Sequence, residues 1–245
     1  PPSMTERDGM PPASEARPGD VWAMRHGAVT ETVRGRLYGR LDVPLHPAAR
    51  EQMRRAARDF LRLREALYGA EGLPPVRVVS SPLSRCRESA SLVLAVLREA
   101  GGNVLPPLRE PALLEVALGR WEGLRKEDIQ RSFPVEWAAR GADPARVAPP
   151  GGESFQDVQR RALAAVRRLR AAHAGECLLC VSHAGVIRCL MAQALALPLC
   201  EVPRLRLPPA ALVRLDEEGE AAAGTGEDGR SSGLRQASAA CERGA

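Results

Sequence analysis

Three short segments hold residue types that together suit a phosphate. Arg25-His26-Gly27 and Ser182-His183-Ala184-Gly185 contain two of the four histidines, and Arg85 follows Ser80-Ser81-Pro82 closely. Arginine presents a planar fork that matches phosphate oxygens, and helix N-termini add free N–H groups and partial positive charge. A histidine among such donors is disfavoured from carrying its own proton, and a neutral imidazole nitrogen is a nucleophile that can accept a phosphoryl group. A second histidine can donate to the phosphoryl oxygens as charge develops there. Each residue alone also has a plainer reading. A strand-end histidine is usually a structural hydrogen-bonder, Arg85 in SRCRES reads as a solvated charge, and His183 before Ala-Gly reads as the cap of a tight turn.

The elements around these segments decide between the readings. Apolar runs occur at 21–24 (VWAM), 76–79 (VRVV) and 177–182 (CLLCVS), with weaker ones at 103–108 and 211–215. Between them lie helical patterns of period 3.6. Pro47 opens one, with Ala49, Met53, Ala56, Phe60, Leu63 and Leu67 on its stripe. A second carries Leu83, Cys86, Ala90, Val93 and Leu97. A third starts near Ser154, with Asp157 in its first turn, and carries Phe155, Val158, Ala162, Val166 and Leu169. A fourth follows His183, with Val186, Leu190, Ala194 and Leu197 expected to face inward. This alternation predicts an α/β fold with a mostly parallel sheet covered by helices on both faces. Such sheets bind ligands beyond the carboxyl ends of their strands, which is where all three segments fall. Independent structural roles would not select one rim. The stretch 116–152 reads as irregular, with a short helical piece, and suits a lid or rim over the site.

Composition narrows the classes further. In 245 residues, 44% are hydrophobic and 27% charged, ordinary for a globular chain with a real core. Aromatics at 3% argue against a base-stacking nucleic-acid surface. The net charge is +5, and Lys126 is the one lysine among 35 basic residues. The arginines are spread along the chain rather than blocked, so the charge reads as compositional. Six cysteines are too few and scattered for a disulfide framework. Cys177 and Cys180 have C-x-x-C spacing, but a strand puts them on opposite faces, so they are expected as core thiols rather than metal ligands. No His/Asp cluster has metal-ligand spacing. No apolar stretch reaches the ~18 residues of a membrane helix and the first residues lack a signal-peptide core, so a soluble cytoplasmic protein with no membrane partner is expected. Residues 1–19 and 217–245 carry little periodic apolar pattern, which leaves one domain over about 20–216 between two mobile tails.

Five motifs in order also carry a resemblance. Arg-His-Gly at 25–27, SSPLSRCRESA at 80–90, LLEVALGRWEG at 113–123, PGGESFQDVQRRA at 150–162 and VSHAGVIR at 181–188 resemble the histidine phosphatase (phosphoglycerate mutase-like) superfamily. The resemblance implies a three-layer α/β/α fold. It implies His26 as the nucleophile that becomes phosphohistidine, with Arg25, Arg85 and His183 as the phosphate pocket. Glu115 would protonate the leaving oxygen and then activate water. Members often read RHGET or RHGES and carry Asn five residues after the glycine. Ala28 and Thr32 stand there instead, with the Thr32 hydroxyl as a substitute donor to phosphate. No metal or cofactor is implied.

The functions compatible with this set are a phosphomonoester hydrolase, a phosphoglycerate mutase and a non-catalytic phospholigand-binding protein. Binding alone needs neither His26 nor Glu115, which counts against the last. The compact connection from Glu115 to Gly151 lacks the longer insertion of the cofactor-dependent mutases, so water can reach the phosphoenzyme and hydrolysis is favoured. YGRLDVPL at 38–45, with GRWEG and PGGESF, is most similar to the α-ribazole phosphatase branch, which makes a small-molecule phosphomonoester such as α-ribazole 5′-phosphate the expected partner, and no nucleic acid.

Overall fold

Strands β1 (Val21–Arg25) and β4 (Cys177–Ser182) are apolar on both faces because both faces are covered, and every residue of β4 is buried. They pair in parallel, Val21 with Leu178 and Arg25 with Ser182. β2 (Val76–Ser80) lies parallel on the other side of β4, and the two-residue β3 (Leu108–Arg109) closes that edge. β5 (Leu212–Leu215) joins β1 antiparallel, giving the order β3-β2-β4-β1-β5. The computed structural model describes residues 20–69 and 72–215, so the two stretches expected as tails, 1–19 and 217–245, lie outside the described residues.

Two cores form, one on each face of the sheet. On one face α1 (Ala49–Tyr68) and α2 (Ser84–Glu99) cover Trp22, Met24, Val78, Cys177 and Leu179. On the other, α5 (Phe155–Ala172) and α6 (Ala184–Ala194) cover Ala23, Leu178 and Cys180. Cys177 and Cys180 thus fall in different cores, as strand alternation requires. Trp22 and Phe60 meet edge to face, ring centroids 5.5 Å apart.

Several expectations need correction. Leu63 and Leu67 follow the period of α1 but are 38% and 43% exposed, because the inward position in these turns goes to Arg64. Arg64 is buried there instead; it donates to the Pro74 carbonyl (2.7 Å) and lies over the Phe60 ring. Ala194 is exposed at the end of α6, while Ile187, Cys189, Met191 and Ala192 join the core, so α6 is buried over more than one stripe. In the weak run 103–108, Val104 makes a single bridge to Val76 and the strand itself starts at Leu108.

The irregular stretch holds two helices rather than one, α3 (Lys126–Ser132) and α4 (Pro134–Ala142), with Pro134 at the first turn of α4 where its missing N–H costs nothing. α4 buries none of its residues. α5 starts with a reciprocal capping box: Asp157 N–H donates to Ser154 Oγ (3.2 Å) and Ser154 N–H to the Asp157 carboxylate (3.1 Å).

Candidate active site

β1 and β4 end side by side, so Arg25 and His26 emerge next to Ser182 and His183, and the His26 N–H donates to the Ser182 carbonyl (3.0 Å). Ser81, at the end of β2, donates its N–H to Val181 on β4 (3.0 Å). Gly27 must be glycine, because a Cβ there would lie 2.6 Å from the Ala49 Cβ at the start of α1. That close approach lets α1 pack directly behind the loop that carries His26.

The hydrogen bonds fix both imidazole tautomers. His26 Nδ1 lies 2.7 Å from the Gly27 carbonyl. A carbonyl only accepts, so Nδ1 carries the proton and Nε2 holds a lone pair. His26 is 2% exposed, and burial, with the Arg85 and Arg25 charges, lowers its pKa to about 3 against the opposing pull of the Gly27 carbonyl. His183 Nδ1 accepts from Arg85 Nε (3.3 Å), so its Nε2 carries the proton and donates to Ser81 Oγ (2.8 Å). Burial, Arg85 and His26 hold its pKa well below the ordinary imidazole value. The two rings meet edge to face, 5.3 Å between centroids, both neutral.

Arg85 is fully buried, not the solvated charge that its place in a first helical turn suggests. Its terminal nitrogens donate to Leu41 O (2.7 Å) and Gly39 O (2.6 Å), and the guanidinium lies over the Tyr38 ring. Three of five N–H groups are engaged, leaving one on each terminal nitrogen able to meet a phosphate. Arg25 donates to the Leu207 carbonyl.

A cavity of about 520 Å³ opens beside this group, and Arg25, Glu115, Ala184 and Gly185 line it. The Glu115 carboxylate accepts from the Val116 N–H (2.9 Å) and the Gly185 N–H (3.3 Å). A Cβ on Gly185 would stand 2.5 Å from Glu115 Oε1, so the glycine makes room for the acid. The structure therefore gathers His26, His183 and Arg85 in one buried cluster, with Arg25 and Glu115 on the adjoining cavity. Thr32 is not brought to them. It is exposed in the turn Glu31–Val33, with its hydroxyl 2.9 Å from that of Thr30, because the turn points this side chain outward.

Sequence reasoning missed the cavity's walls. Two of the three tryptophans (Trp121 and Trp137), one of two tyrosines (Tyr38) and one of three phenylalanines (Phe155) line it, as do Arg36 and Arg140. Arg140 lies over the Phe155 ring at 5.0 Å. The available signal was that Trp121 and Phe155 fall inside GRWEG and GGESF, two of the motifs. Ser81, the partner of His183, carries no sequence signal beyond its place at a strand end. Among the described residues, no three His, Cys, Asp or Glu side chains are grouped to hold a metal ion. No helix among them is long and apolar enough to cross a membrane.

The arrangement offers a neutral nucleophilic nitrogen, cationic donors for phosphate and a carboxyl group at the edge of an open cavity. That is the chemistry of phosphoryl transfer through a covalent intermediate. Comparison with known proteins agrees. The model of the histidine phosphatase superfamily (branch 1) matches residues 21–224. The chain is 30% identical over 187 residues to an adenosylcobalamin/alpha-ribazole phosphatase of Salmonella typhimurium, covering 76% of this chain and 85% of that one. It is 33% identical over 192 residues to a glucosyl-3-phosphoglycerate phosphatase of Mycolicibacterium vanbaalenii, covering 74% and 76%. A solved mycobacterial glucosyl-3-phosphoglycerate phosphatase in complex with VO3 superposes with a TM-score of 0.64 at 28% identity, over 80% of this chain and 92% of that one. The chain therefore belongs to the histidine phosphatase superfamily, as one of its phosphatases.

Proposed function

We propose that this phosphatase hydrolyses a small phosphomonoester through a phosphohistidine formed at Nε2 of His26. The observation that carries the reading is the tautomer of His26: with Nδ1–H bonded to the Gly27 carbonyl, the Nε2 lone pair is free to attack phosphorus. As the N–P bond forms, the P–O bond to the leaving alcohol breaks, and a proton from the Glu115 carboxyl passes to that oxygen. Arg25, Arg85 and His183 meet the charge on the phosphoryl oxygens. The Glu115 carboxylate then takes a proton from water as the water oxygen attacks phosphorus, the N–P bond breaks and inorganic phosphate leaves. Atoms balance over the two halves, and Glu115 ends as it began.

Hydrolysis rather than mutase chemistry is favoured because the cavity beside Glu115 is open and about 520 Å³ in volume, so water can reach the phosphoenzyme. For the leaving group, Tyr38, Trp121, Trp137 and Phe155 support a flat, largely apolar moiety, as in α-ribazole 5′-phosphate. Arg36 and Arg140 support a second reading, a leaving group with a carboxylate such as a glycosylated phosphoglycerate. Substrates of either kind are small charged metabolites, which supports a cytoplasmic location. The chemistry resides in residues 20–216. A chain of those residues alone is expected to keep the turnover and melting temperature of the full protein.

The test is steady-state hydrolysis of a phosphomonoester panel that includes α-ribazole 5′-phosphate, glucosyl-3-phosphoglycerate and 3-phosphoglycerate. Release of inorganic phosphate with a ranking led by the first supports the reading. Conversion of 3-phosphoglycerate to its isomer without phosphate release would replace it by the mutase.

A further inference from the structure

Glu115 lies in residues 114–118, which belong to no helix or strand. A backbone ladder therefore does not fix its position, and some other device must. Two guanidinium groups converge on its main-chain carbonyl oxygen: Arg40 Nε at 3.0 Å and Arg161 Nη2 at 3.2 Å. Two like charges aimed at one neutral oxygen repel each other unless an anion stands between them. Glu153 is that anion. Arg161 grips it as a fork, Nε to Oε1 and Nη2 to Oε2, both at 2.9 Å, and Arg40 Nη2 reaches Oε2 at 3.0 Å.

The same carboxylate also holds the chain just beyond Glu115. Its Oε2 accepts from the Ala117 N–H (3.0 Å), and its own backbone N–H donates to the Ala117 carbonyl (2.8 Å). Arg161 adds a bond to the Ala112 carbonyl at 2.6 Å. The main chain is thus tied on both sides of Glu115 and at Glu115 itself, all through one carboxylate and its two arginines. Burial works against the charge on Glu153, and the Arg161 fork, the Ala117 N–H and Arg40 outweigh it and favour the ionised carboxylate.

We propose that Glu153 is a positioning residue for the acid: its bridge between Arg40 and Arg161 sets where the Glu115 carboxyl stands relative to the leaving oxygen. The inference rests on Glu115 being the proton donor. Both arginines share the Glu115 carbonyl, and the bonds to Ala112 and Ala117 flank it, so the cluster is centred on the acid. A misplacement of about 1 Å at a reacting group costs on the order of 10²-fold in rate. The loss must fall on leaving groups that need the proton and spare those that do not.

The experiment measures the rate of phosphoenzyme formation in single turnovers with an alkyl phosphomonoester and with p-nitrophenyl phosphate. It is run on the full chain and on Glu153→Gln, Glu153→Asp and Glu115→Gln. For Glu153→Gln the alkyl ester is expected to slow by about 10- to 100-fold and the nitrophenyl ester by less than about 3-fold. Glu153→Asp keeps the charge and is expected to recover part of the alkyl rate. Equal slowing of both esters in Glu153→Gln, or no slowing of either, overturns the proposal while leaving Glu115 as the acid, provided Glu115→Gln still discriminates between the esters. If Glu115→Gln slows both equally, the acid assignment falls and this proposal with it. Should Glu153→Gln fail to fold, Arg40→Gln removes one arm of the bridge from a partly exposed side chain and must show the same discrimination.

Discussion

The buried cluster and the cavity beside it are built in opposite ways. His26, His183 and Arg85 are each no more than 2% exposed, and each imidazole is fixed by a hydrogen bond to a neighbour. They stand at the ends of strands packed on both faces and at the first turn of α2. The cavity's far wall, by contrast, includes Trp137 and Arg140 on α4, a helix that buries none of its residues and leaves Val135 75% exposed. In the proposed mechanism the buried cluster handles phosphorus, which is common to every phosphomonoester, and the sheet holds it in place. The part that meets the leaving group rests on a thin outer layer, where substitution costs the fold little.

The most damaging test of this contrast is His26→Ala. It should abolish acid-labile, alkali-stable label from a radioactive phosphomonoester and lower turnover by more than about 10⁴-fold. Label retained on another residue would move the nucleophile elsewhere. Gly185→Ala comes next. Its new methyl would press on Glu115 and Val116, both within 2.5 Å of the added atom, and kcat for alkyl esters should fall by about 10²-fold. An unchanged kcat would mean that Glu115 is free to move aside.

Acid exposes the buried half in a different way. The pKa of His26 is lowered to about 3 in the folded chain against 6.5 as its ordinary value, and His183 shifts in the same direction. Below pH 6.5 the unfolded chain takes up protons that the folded one refuses. The stability these neutral histidines contribute is therefore complete above pH 6.5 and is lost as pH falls from there toward 3. For His26 the slope is about 1.4 kcal/mol per pH unit. Denaturant midpoints at pH 7 and pH 5 would show it, and His26→Ala should flatten it. The smallest effect is expected on the rim. Trp137→Ala should reorder the preference among leaving groups by a few-fold, with p-nitrophenyl phosphate and thermal stability little changed. A collapse of all activity would show that α4 belongs to the rigid part after all.

How far the sequence revealed this contrast follows from the same difference. β1 and β4 are buried on both faces and appear as apolar runs, β2 is interrupted only by Arg77, which pairs with Glu176, and the positions of His26, Arg85 and His183 at one rim follow from parallel topology. The burial of Arg85 does not follow, because it depends on the carbonyls of Gly39 and Leu41 in a loop with no periodic signal. Glu115 sits in an irregular stretch and is visible only through its motif. Tyr38, Trp121, Trp137 and Phe155 come from separate segments that turns bring together, and no local pattern encodes that meeting. Thr32 illustrates the limit of position alone: it occupies the slot of a family donor, yet its hydroxyl turns to Thr30.

The order of the strands also bears on how the molecule comes into being. β1 lies inside the sheet, flanked by β4 and β5, with Val21 paired to both Leu178 and Leu215. During synthesis this early apolar strand has no partner until nearly all of the domain has been made. Pairings so distant in sequence favour slow folding and leave Val-Trp-Ala-Met open to aggregation or chaperone capture meanwhile. His26, among the earliest site residues to leave the ribosome, is seated only when β4 arrives. A chain cut short before β4 cannot act as a weak enzyme; it cannot assemble the surroundings of the proposed nucleophile at all.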